Sequence, residues 1–244
     1  MAVSEKLIDG LIKVGIAQEN LDDLCSKMDR YINEIILFNS AYNLTNTSDY
    51  DEIVVNHILD SLSAVKKIQE LAEEFNESEC LIGDIGSGGG LPGIPLAAAL
   101  PQFRFVLVER MDKRCAFLEN CIALLGLKSA SVMKKEAEKV PAGYFSVATF
   151  RAFRPLDKKM TKTLLALIRE NGYLAAYKAK ADSIQTEMDG IKDLVPEYKT
   201  EPLSVPYLTE SDSQKKQKEI RQRNLVLIQK KNAPRISKFD RIST

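Results

Sequence analysis

The sequence predicts a doubly wound α/β fold: a mostly parallel, Rossmann-like sheet with right-handed crossovers and an N-terminal helical extension. Three observations predict it. From Cys80 onward, short apolar runs rich in β-branched residues alternate with helical patterns at the interval of βαβ units. The first of these runs ends in a glycine cluster that opens a helix. Before Cys80, apolar residues recur instead at spacings of three and four. The expected organisation follows: residues 1–79 form a helical extension packed on the core, and residues 80–244 form the ligand-binding domain. A chain of 244 residues, 45% of them hydrophobic, is long enough for one such core.

Residues 4–39 read as helices. Leu7, Leu11, Ile12 and Val14 mark one apolar stripe, and Leu21, Leu24, Met28, Tyr31, Ile32, Ile35 and Ile36 a second. Residues 39–47 form a polar break, after which Asp49 can cap a helix carrying Ile53, Val54 and His57. An acidic stretch, 70–79, leads out of the extension. Residues 80–86 form the first strand. A helix at 93–100, a strand at 103–108 and a helix at 112–125, closed by Gly126, follow it. Then come strands near 131–133 and 145–149, a helix near 156–168, a strand at 172–177 and a helix at 182–194. Segments around 198–205 and 224–229, separated by the charged stretch 211–219, suit an antiparallel pair at the sheet edge.

Composition narrows the chemistry. Four cysteines lie far apart and His57 is the single histidine, which argues against a disulfide framework, a zinc site and most serine or cysteine hydrolase schemes. No apolar run reaches the length of a membrane span and the N-terminus lacks a secretory pattern, so a cytoplasmic protein with no membrane association is expected. The formal charge of zero conceals a division: residues 1–80 carry a net −10 and residues 81–244 a net +10. Within 214–241 ten Lys or Arg face two acids. Such a division suits a protein that presents one face to a polyanion, although a merely solvated surface would read alike.

The informative motif runs Asp84-Ile-Gly86-Ser-Gly88-Gly-Gly90-Leu91-Pro-Gly93. Glycines after a buried strand permit a sharp turn and close approach of backbone to a ligand. The following helix presents unpaired N–H groups. Gly88, Gly90 and Gly93 also match the dinucleotide fingerprint, so an NAD-dependent oxidoreductase is a rival reading. Asp84 favours S-adenosyl-L-methionine: it stands where it can hold an amino-acid ammonium or a bridging water, and a carboxylate there would repel a pyrophosphate. Glu109, ending the second strand, can accept both ribose hydroxyls with either ligand.

Five segments together resemble one family: DIGSGGGLPGIPLA, the earlier NLT (Asn43 to Thr45), NHILDSL, ERMDKRCAFLE, and FRAF around Arg151. This is the ribosomal RNA small subunit methyltransferase G family, also called glucose-inhibited division protein B, and the similarity runs in order over 42–178. The resemblance implies a class I methyltransferase fold, S-adenosyl-L-methionine as cofactor, and methylation of guanine N7 in small-subunit ribosomal RNA, in naked RNA or a 30S particle. It carries cofactor contacts onto Gly86 and Leu91, onto Ala137 and Glu138 after the third strand, and onto Arg151 in the turn after the fourth; Gly88 of the glycine motif is a further cofactor-binding candidate. A methyltransferase for a small molecule or protein, and a non-catalytic RNA-binding protein, stand as alternatives. A monomer without a metal is expected.

Guanine N7 carries a lone pair and no proton, so the reaction needs no general base, and catalysis reduces to alignment. No catalytic residue is therefore named. RNA contacts are expected from Arg110, Lys113, Arg114, Phe153, Arg154, Lys178 and Lys180, each with a plainer reading as a solvated or core residue. His57 is expected to be packed and hydrogen-bonded, Asn43 to cap or brace a turn, and Asp60 to hold His57 or a basic partner.

Overall fold

A computed structural model describes residues 4–76, 78–151, 156–209 and 221–231. The chain opens with α1 (Glu5–Val14) and α2 (Gln18–Tyr42). A continuous helical segment follows: α3 (Tyr50–Ile53), a π-helical turn (Val54–Leu59) and α4 (Asp60–Leu62), then α5 (Val65–Glu73). The Asp49 carboxylate caps α3 by accepting the Glu52 N–H at 2.8 Å. After these come β1 (Leu81–Ile85), α6 (Gly93–Ala99), β2 (Arg104–Glu109), α7 (Asp112–Leu125) and β3 (Ala130–Lys134). The remainder is β4 (Phe145–Arg151), α8 (Lys158–Leu167), β5 (Ile168–Lys178), α9 (Ala181–Ile191), β6 (Lys199–Pro202) and β7 (Asn224–Gln229).

The seven strands lie in the order β3-β2-β1-β4-β5-β7-β6. Strands β1 to β5 pair in parallel, while β7 runs antiparallel between β5 and β6. Period-two alternation divides the side chains between two faces. On β2, Phe105 and Leu107 point to one core and Val106 and Val108 to the other; on β7, Leu225 and Leu227 oppose Val226 and Ile228. The first core is shared with α6, α7 and the N-terminal helices, through Leu11, Met28, Tyr31, Ile32 and Ile58. The second lies beneath α8 and α9. Each fully buried Leu, Ile or Phe contributes about 1.5–3 kcal/mol, so the extension adds to the stability of the sheet it covers.

Several expectations need correction. Ile12 is 51% exposed and drops out of the α1 stripe, which keeps the buried Leu7 and Leu11 and the partly buried Val14 packed against the core. The break at 39–47 starts later, because α2 continues to Tyr42 and ends on Asn43 in a left-handed conformation (φ 49°). The helix around His57 contains a π turn that no periodicity announced. Strand β5 starts at Ile168, directly after α8, because a register irregularity against β4 lets Ile168 pair with Phe145 before regular pairing resumes at Tyr173. The charged stretch 211–219 lies outside the described residues. Among the described residues, no helix is long and apolar enough to cross a membrane.

Candidate functional site

From β1 the chain order runs outward in both directions, through β2 and β3 on one side and β4 and β5 on the other. The carboxyl ends of β1 and β4 are therefore the switch point where an open α/β sheet leaves a crevice. Two cavities lie there. The larger, about 850 Å³, is lined by Gly86, Gly88 and Leu91 from the loop after β1, by Arg151, and by Asn46 and His57 from the helical extension. The smaller, about 480 Å³, is lined by Glu109, Met111, Ala137 and Glu138. Gly86 and Arg114 border both, so the glycine loop is their common wall.

Sequence explains the loop's shape. Gly86, Gly88 and Gly90 all have positive φ (69°, 59° and 91°), a conformation that side chains resist. The Gly86 and Ser87 amides donate to the Val108 carbonyl at 2.9 and 3.0 Å, which ties the loop to β2. Glu109 completes that tie. One carboxylate oxygen accepts the Gly88 N–H at 3.0 Å, and the other accepts the Arg110 and Met111 N–H groups at 2.8 and 2.9 Å. A ligand hydroxyl at Glu109 would share a carboxylate that already orders two loops.

The position of Asp84 corrects the expectation of a ligand contact. Its side chain is 1% exposed, lies beneath the loop and lines neither cavity. One oxygen accepts the Ser87 hydroxyl at 2.6 Å and the Gly93 N–H at 3.0 Å, stapling the loop's start to the first turn of α6. The other oxygen is buried with no partner among the described residues. Burial raises the pKa to about 6 against the opposing pull of the two hydrogen bonds. From sequence, an acid two residues before a glycine looks the same whether it faces a ligand or the helix behind it.

Arg151 is the last residue of β4, paired with Tyr177, rather than part of the following turn. Its guanidinium donates to the Asp60 carboxylate at 2.8 Å, the Asn56 carbonyl at 3.3 Å and His57 Nδ1 at 3.2 Å. A guanidinium only donates, so Nδ1 is the acceptor and the ring proton resides on Nε2. His57 is held neutral, its pKa lowered to about 4 by burial first and by Arg151 and Arg223 second. The second Asp60 oxygen takes Arg223 Nε at 3.0 Å. Asp60 therefore holds two basic partners, and His57 is held by the arginine.

Ala137 is buried and Glu138 exposed on a 3-10 turn (Ala137–Lys139) at the smaller cavity. Of the expected RNA contacts, Arg110, Lys113 and Lys180 are exposed. Arg114 donates to the Asn43 carbonyl at 3.4 Å. Lys178 pairs with Glu187 at 2.6 Å. Phe153 and Arg154 lie outside the described residues. Sequence reasoning missed Arg223, which reaches the cavity from just before β7, and Glu187, which reaches it from the middle of α9; a single charge at either position gives no signal of its own. Among the described residues no cluster of His, Cys, Asp or Glu is placed to hold a metal ion, and the four cysteines are buried and free.

This strand order, with a glycine loop at the switch point, defines a class I methyltransferase fold. Two solved structures share it: tRNA (m1A58) methyltransferase TrmI from Aquifex aeolicus and a predicted O-methyltransferase from Agrobacterium tumefaciens. The first has TM-score 0.54 and 15% identity, over 83% of this chain and 76% of that one. The second has TM-score 0.52 and 15% identity, over 72% and 81%. The chain belongs to the rRNA small subunit methyltransferase G (GidB) family, whose model matches residues 24–219. Ribosomal RNA small subunit methyltransferase G of Treponema denticola is 39% identical over 83% of this chain and 89% of its own length. The protein of the same name from Neisseria meningitidis serogroup C is 34% identical, over 81% and 91%.

Proposed function

We propose that this protein, acting in the cytoplasm, transfers a methyl group from S-adenosyl-L-methionine to N7 of a guanine in small-subunit ribosomal RNA. The observation that supports this reading most directly is the pair of cavities meeting at Gly86 in a chain of this family.

The residues present fit the cofactor. A Cβ built at Gly88 would meet only the Gly86 carbonyl at 3.8 Å and Arg114 at 3.9 Å, so the glycine leaves open a cradle that a side chain would fill. The smaller cavity sets the Glu109 carboxylate, an acceptor for ribose hydroxyls, beside the flanks of Val108, Met111 and Ala137, which can cover the faces of an adenine ring within an otherwise charged lining. Glu109 would hold the ribose, and Ala137 and Glu138 the adenine. Gly86, Gly88, Leu91 and Arg151 would enclose the amino-acid end. When bound, the cofactor supplies a methyl group already activated on a sulfonium.

The chain's own residues then bind, orient and exclude water. The lone pair of guanine N7 needs no base to free it. The single histidine suits such a reaction, because His57 commits Nδ1 to Arg151 and is not poised to exchange protons near neutrality. Small-subunit particles incubated with the protein and methyl-labelled cofactor test the reading. Label is expected in ribosomal RNA, as 7-methylguanine. Label in protein or a small metabolite instead, or bound cofactor with no transfer, would overturn it.

A further inference from the structure

The loop after α2 forms part of the wall of the larger cavity beside the glycine loop. Leu44, Thr45 and Asn46 line that cavity. Leu44 sits on the glycine loop itself, since a Cβ at Gly89 would lie 3.3 Å from the Leu44 Cβ. One buried side chain sets the loop's shape. Asn39, 8% exposed, accepts the Leu44 and Thr45 N–H groups on Oδ1, both at 2.9 Å. Its Nδ2 donates to the Thr47 carbonyl at 2.9 Å and to the Ser48 hydroxyl at 3.0 Å. Both lone pairs and both hydrogens of the amide are thus used, a complete match that no other side chain of this size supplies. The Thr45 hydroxyl adds a bond to the Thr47 carbonyl at 2.7 Å. The loop so shaped presents Asn46, whose side chain is exposed and makes no hydrogen bond among the described residues.

We propose that Asn46 orients the target guanine by pairing its amide with the N1–H and O6 edge, and that Asn39 is the positioning residue that holds Asn46 there. An amide offers one acceptor and two donors side by side. A guanine presents N1–H beside O6 on its Watson–Crick edge, so an amide meets both and leaves N7 open on the adjacent edge. Exposed bases in RNA are commonly read in this way, on edges freed from pairing. The inference rests on the methyltransferase reading above and assigns the residues that turn the base within it.

Steady-state methyl transfer to small-subunit particles, with S-adenosylhomocysteine binding measured alongside, tests the assignment. Asn46→Ala should lower kcat about tenfold or more while KM for the particle changes far less, the pattern of an interaction made in the transition state. Its S-adenosylhomocysteine Kd should stay within about twofold, because this exposed side chain makes no bond to the cofactor wall. Asn39→Ala should lower kcat similarly and also lower Tm. The Asn39→Ala/Asn46→Ala protein should be no slower than Asn39→Ala alone, because coupled residues do not add. A merely structural Asn39 would instead give additive losses, and that result would remove it from the assignment. An Asn46→Ala enzyme with kcat within about twofold of the unsubstituted protein would overturn the assignment of Asn46 alone. An unsubstituted protein that binds S-adenosylhomocysteine but methylates no RNA would overturn the underlying reading, and this inference with it.

Discussion

Two buried titratable residues at the site shift in opposite senses, and their effects on stability oppose each other. The raised pKa of Asp84, about 6 against an ordinary 3.8, means the folded protein binds a proton that the unfolded chain has released. Its contribution is complete below about pH 4 and is lost as pH rises through 6. The lowered pKa of His57, about 4 against 6.5, works the other way: its contribution is present above 6.5 and is lost as pH falls toward 4. Each amounts to about 3 kcal/mol at most, so between pH 4 and 6.5 the two nearly cancel. Denaturant unfolding across that window should show His57→Gln losing stability as pH rises and Asp84→Asn gaining it; parallel slopes would exclude this account. Asp60 is the other sensitive residue. Asp60→Ala leaves Arg151 and Arg223, with side chains 14% and 19% exposed, without their shared carboxylate. A loss of about 3 kcal/mol or more is expected from urea unfolding.

Among the elements, the glycine loop separates fold from ligand most cleanly. At Gly90 (φ +91°) a Cβ would lie 2.6 Å from Ile94 Cδ1 and 2.9 Å from the Tyr31 hydroxyl, so Gly90→Ala should cost about 3 kcal/mol or more in stability. At Gly88 (φ +59°) a Cβ meets nothing closer than 3.8 Å. Gly88→Ala should therefore cost only about 1–2 kcal/mol of backbone strain. It should nonetheless weaken S-adenosylhomocysteine about tenfold or more, because the methyl occupies the cradle. Thermal melts and calorimetry distinguish the two. Legibility at this scale followed local pattern. Strands β1, β2 and β7 were readable because each is a short, nearly continuous apolar run, and helix α7 because Gly126 closes its C-terminal end. The π turn and the early start of β5 were not, since both depend on partners across the sheet or the core rather than on local spacing.

At the scale of the whole molecule, the motif residues gathered while the network between them stayed hidden. Gly86, Gly88, Leu91, Glu109, Ala137, Glu138 and Arg151 all line the two cavities, because each lies in the loop or turn after a parallel strand, or at that strand's end. The long-range bond of Asp60 to Arg223 and the local bonds of Asn39 to its loop left no pattern, because hydrogen bonding of polar side chains has no period to read. Charge is the other molecular property: a net −10 before residue 81 and +10 after it. Binding to ribosomal RNA should weaken with salt at a log–log slope of about −3 or steeper, as expected for four or more neutralised single-strand phosphates. A flat salt dependence would remove the polyanion from the account.

The claim on which the rest depends is that the loop between β1 and α6 holds the methyl donor. Titration calorimetry of the full chain with S-adenosylhomocysteine tests it without any RNA. One site per chain is expected, with affinity reduced about tenfold or more in Gly88→Ala. Absence of binding by the folded, unsubstituted protein would contradict the account.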